Sequence, residues 1–215
     1  MTTITRRVLL AMAAALAASP VLAQDTETSA PADPAPSVDP ATVKDFSIGS
    51  ADAPIKITEY ASYTCPHCAR FHADVFAQLK LDYIDTGKVY FTMREVYFDR
   101  YGLWAALVAR CGGDMKYFGI QDMLFDQQQD WAAQQDPSLV VQKLRGIGLA
   151  AGLTNEQLDA CLQDTAMVEA MVKHFEEGMQ ADAIEGTPTL IIDGEKHPNM
   201  SYGDLKTILD AKLGG

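Results

Sequence analysis

The chain has 215 residues, with 29 acidic against 17 basic side chains and a formal charge of −12. So acidic a surface excludes nucleic acid and anionic membrane as main partners. The length suits one sizeable domain, or one domain with a large insertion.

The N-terminus has the form of an export signal. Arg6 and Arg7 precede an unbroken apolar run from Val8 to Ala18, and Val21-Leu22-Ala23 suits cleavage before Gln24. The run is shorter than the roughly 20 residues that span a bilayer, so residues 1–23 read as a cleaved signal peptide. Residues 24–44 read as a disordered Pro/Ala-rich linker, with Pro31, Pro34, Pro36 and Pro40 and no aromatic residue. The folded domain is expected over 45–215. Four cysteines in an exported chain point to disulfides.

The first strand signal is Ile55-Lys56-Ile57-Thr58-Glu59-Tyr60, which alternates. After Cys65-Pro66-His67-Cys68, the residues Phe71, Val75, Phe76 and Leu79 recur at helical spacing. Gly87 suits the stop of that helix, and Val89–Val96 reads as a second strand, completing a βαβ unit. From about 101 to 185 the pattern is helical throughout. Leu103, Trp104, Leu107, Val108 and Cys111 form one stripe that stops at Gly112-Gly113. Asp136-Pro137 opens another helix, Thr154 to Gln157 resembles a capping box, and Met167, Met171 and Phe175 mark a further helix. Thr189-Leu190-Ile191-Ile192 is a buried-type strand, and Asp193-Gly194 signals a hairpin. The final helix starts near Ser201, with Leu205, Ile208, Leu209 and Leu213 as its core stripe.

Chemistry concentrates at the strand-to-helix junction. A cysteine at a helix N-terminus meets unpaired N–H groups and a dipole that favours negative charge. The thiolate is the reactive form of cysteine. Cys65 is therefore the expected nucleophile, aided by any positive charge on His67, while Pro66 fixes the helical φ and removes one donor. A low thiol pKa makes Cys65 a good leaving group, which stabilises the reduced form and makes the protein an oxidant. Cys68, one turn in, is the expected resolving thiol. Glu59 shares strand parity with Ile55 and Ile57, so it either faces the core or reaches solvent from the strand end. If buried, its carboxyl could relay a proton to or from Cys68. Zinc is an alternative for the cysteine pair, but the chain has no second CxxC and no HxxxH pair, and His72 and His174 fit ordinary helix positions. No metal and no cofactor is expected.

The stretch Glu59-Tyr60-Ala61-Ser62-Tyr63-Thr64-Cys65-Pro66-His67-Cys68-Ala69-Arg70-Phe71-His72, with Gly186-Thr187-Pro188-Thr189 much later, resembles the DsbA family of exported disulfide oxidoreductases. The similarity runs from about Phe46 to the C-terminus. It implies an α/β thioredoxin fold with a helical subdomain inserted over about 101–185. It also implies a buried acid at the position of Glu59, and a cis Thr187–Pro188 bond beside the active cysteines. Thr187 would then be free to pair with an extended substrate. The best-known DsbA proteins carry valine before this proline, so Thr187 is a departure that bears on redox poise and partner preference. Cys111 and Cys161 both fall in the insertion and are either bridged or two buried free thiols; an oxidising compartment favours the bridge. The implied function is that of a monomeric periplasmic enzyme that introduces disulfides into unfolded exported proteins with paired cysteines. A DsbB-like membrane quinone reductase would reoxidise it. The alternatives are a reductase or isomerase kept reduced by a thiol carrier, and, from a different class, a Cu(I)-handling CxxC module.

Overall fold

The computed structural model describes residues 43–214; the expected signal peptide, and the expected linker as far as residue 42, lie outside them. Val43 and Lys44, counted with the linker from sequence, belong to the packed body. Val43 is buried, the Lys44 carbonyl accepts from Arg110, and its ammonium pairs with Asp114.

At the centre of a five-stranded sheet lies β2 (Ile55–Ala61), in the order β1-β3-β2-β4-β5. β1 is Phe46–Ile48, β3 Val89–Glu95, β4 Thr189–Ile192 and β5 Glu195–Pro198. β2 and β3 run parallel, so their link has to cross one face of the sheet. The crossover is α1 (Pro66–Phe71), continued by a π-helical turn at His72–Phe76, α2 (Ala77–Leu79) and a second π-helical turn at Lys80–Ile84. It stops at Gly87, whose φ of +75° lets the N–H groups of Gly87 and Lys88 bond back to the carbonyls of Ile84 and Tyr83. Glycine enters that left-handed cap without a Cβ penalty. Asp193 and Gly194, both at positive φ, close the β4–β5 hairpin, as a two-residue turn of matching twist requires. β1 is too short to show a pattern in sequence. It is held by Phe46, stacked on Tyr117 at 3.9 Å between centroids, and by a hydroxyl pair between Ser47 and Thr92.

The insertion comprises α3 (Arg100–Cys111), α4 (Gly113–Asp126), α5 (Gln128–Ala132), α6 (Pro137–Ala150), α7 (Asn155–Leu162) and α8 (Thr165–Ala181). Short polar side chains start four of them: Asp99, Asp136, Thr154 and Asp164 each accept a backbone N–H of the first turn. Such a cap contributes about 1 kcal/mol. Thr154 and Gln157 form the full reciprocal box. α4 and α5 have no side-chain cap, and the sequence pattern does not separate them. They exist because Tyr117, Ile120, Leu124, Phe125 and Trp131 enter the same core as Ile57 and Phe91 of the sheet. Insertion and sheet thus share one hydrophobic core. The last helix, α9 (Tyr202–Lys212), is capped by Ser201 and buries Leu205 and Leu209.

Candidate active site: a dithiol at a helix N-terminus

Beyond β2 the chain turns through Ser62–Thr64 and places Cys65 as the cap residue of α1, in extended conformation, with Pro66 as the first helical residue. Cys65 is half-buried and its Sγ lies 3.4 Å from the Thr187 carbonyl oxygen. The Thr187–Pro188 bond is cis, so the second half of the sheet brings this loop against the first cysteine. The Cys65 thiol is lowered to about 5. The main cause is a hydrogen bond from the Cys68 thiol; Thr187 and the backbone N–H groups of Cys68 and His67 add to it, against partial burial. The Thr187 hydroxyl is itself buried without a partner of ordinary geometry, yet lies close enough to lower both sulfurs.

Cys68 is fully buried. Burial, then its hydrogen bond to Cys65 and the nearby Glu59, push its thiol far above the usual range. The two thiols are therefore held in opposite states, one as thiolate and one protonated. The His67 side chain is turned toward Arg70. Its Nδ1 lies 2.8 Å from an Arg70 guanidinium nitrogen. The guanidinium is a donor, so this contact engages the ring nitrogen. What His67 gives the thiolate is its backbone N–H.

Glu59 is fully buried in β2, registered between Met93 of β3 and Leu190 of β4. Its Oε2 accepts from His72 Nε2 at 2.9 Å. His72 is thus no ordinary helix position: it is buried and stacks on Phe125 with centroids 4.1 Å apart. The available signal was its spacing of four from Cys68, which puts both on one helical face.

Gln128 of α5 carried no sequence signal. It is buried, and its amide donates to the carbonyls of Tyr63 at 2.8 Å and Cys65 at 2.9 Å. Alongside it, Thr64 donates to Asp99, the α3 cap, at 2.6 Å. Tyr63 donates to Tyr117, which donates to Glu95, itself paired with Arg110 at 2.6 Å. The insertion therefore grips the loop that carries Cys65. Cys111 and Cys161 are bridged to each other, joining α3 to α7. Among the described residues no cluster of three or more His, Cys, Asp or Glu stands together as a metal site, and no helix is long and apolar enough to cross a membrane.

A thioredoxin-type sheet with its dithiol at the crossover helix defines the class of this protein. Residues 41–211 match the thioredoxin family, and the chain belongs to that family as a DsbA-like member. It is similar to a Rickettsia bellii protein whose name assigns it, provisionally, to the protein-disulfide oxidoreductases: 32% identical over 170 residues, 79% of this chain and 64% of that one. Disulfide bond formation protein D of Bacillus subtilis is 25% identical over 182 residues, 78% of this chain and 77% of the relative. Among solved structures, alpha-DsbA1 of Wolbachia pipientis superposes with a TM-score of 0.74 at 27% identity, over 80% of this chain and 92% of that one. Oxidised BdbD of Bacillus subtilis, at 0.70 and 23% identity over 80% of this chain and 94% of that one, shares the fold. The chain spans between 60% and 64% of the length of the Rickettsia relatives it matches.

Proposed function

We propose that this chain is a periplasmic thiol:disulfide oxidoreductase that introduces disulfides into unfolded exported proteins through Cys65 and Cys68. The observation that carries the reading is the opposed pair of thiols: Cys65 lowered to about 5 beside a buried, protonated Cys68. In the oxidised enzyme a substrate thiolate attacks Cys65 Sγ, the bridge opens, and Cys68 leaves and takes up a proton. A second substrate thiolate then attacks the substrate sulfur of the mixed disulfide, and Cys65 departs as a thiolate. The stability of that thiolate favours the reduced enzyme and hence transfer of the disulfide to substrate. Thr187, whose carbonyl faces Cys65 Sγ, supports pairing with an extended peptide as it reacts. Glu59, buried near Cys68, has the place of a proton relay. In this reading residues 1–23 are the export signal, and a DsbB-like membrane quinone reductase restores the bridge.

Cys68→Ser is the decisive variant. Its Cys65 thiolate can still attack disulfides already present in exported proteins, expelling one substrate sulfur as thiolate. With no Cys68 thiol to release it, the variant should accumulate mixed disulfides, visible on non-reducing gels, whereas Cys65→Ser should accumulate none. Equal trapping by the two would overturn the assignment of roles.

A further inference from the structure

Tyr60 follows Glu59 in β2 and therefore points to the opposite face of the sheet. There it packs with Val96 and Ile184, against Phe175 and Met179 of α8. Its hydroxyl donates to the Asp182 carboxylate, just past the end of α8, and accepts from Arg94 Nη1 at 2.7 Å. Burial and the Asp182 carboxylate push this hydroxyl up to about 12, so it keeps its proton at neutral pH. Arg94, from β3, also reaches Asp182 at 3.2 Å, and Asp45 holds its other side at 2.8 Å. Gly178 makes room for the arrangement. A Cβ there would lie 3.3 Å from Arg94 Cδ and 3.4 Å from the Tyr60 hydroxyl, so glycine stands inside α8 despite its low helix propensity.

Asp182 opens the loop that ends on the Thr187–Pro188 bond, and that loop is tied along its length. Lys196 of β5 donates to the carbonyls of Asp182 at 3.4 Å and Ala183 at 2.7 Å. Ala183 takes a left-handed φ of +48°, where glycine is usual, and the Ile184 N–H then bonds back to the Met179 carbonyl. Ile184 is buried against Tyr60. The Gly186 carbonyl accepts from the Thr189 hydroxyl at 2.7 Å, and Thr189 lies opposite Tyr60 in the β2–β4 register. Tyr60 stands five positions before Cys65, and Asp182 five before Thr187. One hydrogen bond therefore joins the two segments whose far ends meet where the Thr187 carbonyl lies 3.4 Å from Cys65 Sγ.

We propose that Tyr60, held by Arg94, is a positioning residue. Through Asp182 it sets where the Thr187 backbone stands beside Cys65, and so how well an extended polypeptide substrate is received. The proposal rests on the oxidoreductase reading above, with Thr187 as the backbone that pairs with substrate. The Tyr60 hydroxyl bonds to neither sulfur, so it acts only through the loop. A peptide paired with Thr187 has to bring its own sulfur in line with Cys65 Sγ, and a misplacement of about 1 Å from a remote change slows such a reaction strongly. A small dithiol has no backbone to pair and meets Cys65 without the loop. The clamp therefore acts on polypeptide substrates and leaves small thiols alone.

The test measures, by stopped flow, the second-order rates at which a dithiol peptide and dithiothreitol reduce the oxidised full-length protein. Tyr60→Phe removes only the hydroxyl, and Asp182→Ala removes its acceptor. Each should lower the peptide rate relative to the dithiothreitol rate about tenfold, the scale of one hydrogen bond to a charged group. A contact that served stability alone would lower the melting temperature and leave that ratio unchanged. Asp182 is partly exposed, so Asp182→Ala carries the test if Tyr60→Phe does not fold. A ratio that stays at the unsubstituted value in the folded variants, whether neither reactant slows or both slow alike, overturns the proposal. Failure of the unsubstituted protein to oxidise the peptide overturns instead the activity on which it rests.

Discussion

Cys65 and Cys68 are the same residue type, three positions apart, and their surroundings set them in opposite protonation states. Burial dominates at Cys68; hydrogen bonds dominate at Cys65. Thiolate absorbance of the reduced protein should titrate near 5, well below the ordinary cysteine value of about 8.5. Thr187→Val removes a hydroxyl that lowers Cys65 and should raise that midpoint by roughly one pH unit, the scale of one hydrogen bond to a charge. His67→Ala, which leaves the backbone N–H in place, should move it less; a larger effect from His67 would show that its side-chain charge acts after all. A folded-state pKa below the unfolded one means that folded, reduced protein binds fewer protons than the unfolded chain between these two values. The stabilising contribution of Cys65 is therefore full above about 8.5 and is lost as pH falls through about 5. Urea titrations of reduced protein against Cys65→Ser, run across that window, measure it.

At the scale of elements, the insertion both covers the sheet and holds the loop that carries Cys65. Gln128→Leu leaves the Tyr63 and Cys65 carbonyls without their side-chain donor. The expected cost is about 1–3 kcal/mol, from stranded polar groups, together with a rise in the Cys65 midpoint as the loop loosens. Denaturant unfolding and thiolate titration read the two effects separately. Within the insertion, α6 meets α3 and α7 at Gly148, where an added Cβ would lie 2.7 Å from Leu158 and 3.3 Å from Val108. Gly148→Ala should therefore destabilise, by about 1–3 kcal/mol from overpacking, although alanine is the better helix former. A neutral or stabilising result in urea would mean that the three helices separate easily there. The caps at Thr154 and at Asp136-Pro137 could be read directly, because capping is decided within four residues. The π-helical turn at His72 could not, because Phe71, Val75, Phe76 and Leu79 fit an ordinary α-helix equally well.

For the whole molecule, the redox state should change stability in the unusual direction. The bridge between Cys65 and Cys68 closes a loop with only two residues inside, so it restricts the unfolded chain little. The reduced form instead gains the stabilised Cys65 thiolate at neutral pH. Reduced protein, with Cys111–Cys161 left intact, should melt above oxidised protein by at least about 2–4 °C, the shift that 1 kcal/mol gives a chain of this size. Calorimetry of the two forms checks it, and an oxidised form that melts higher would mark a reductant rather than an oxidant.

The order of the elements other than β1, α4 and α5, the dithiol and its helix N-terminus, the Gly87 stop and the Asp193-Gly194 turn were all legible in the sequence. Each depends on residues within a turn or two of each other, where periodicity, φ preference and capping act. The inward parity of Glu59 was legible for the same reason, since side chains alternate along a strand. The partners that give these residues their chemistry come from distant segments: Thr187 beside Cys65, His72 stacked on Phe125 of α4, Gln128 on the Cys65 carbonyl. Local patterning carries no information about which far segment lands against a given atom. Burial and hydrogen bonding at the sulfurs, and so the separation of the two thiol pKa values, exist only once sheet and insertion close around one core.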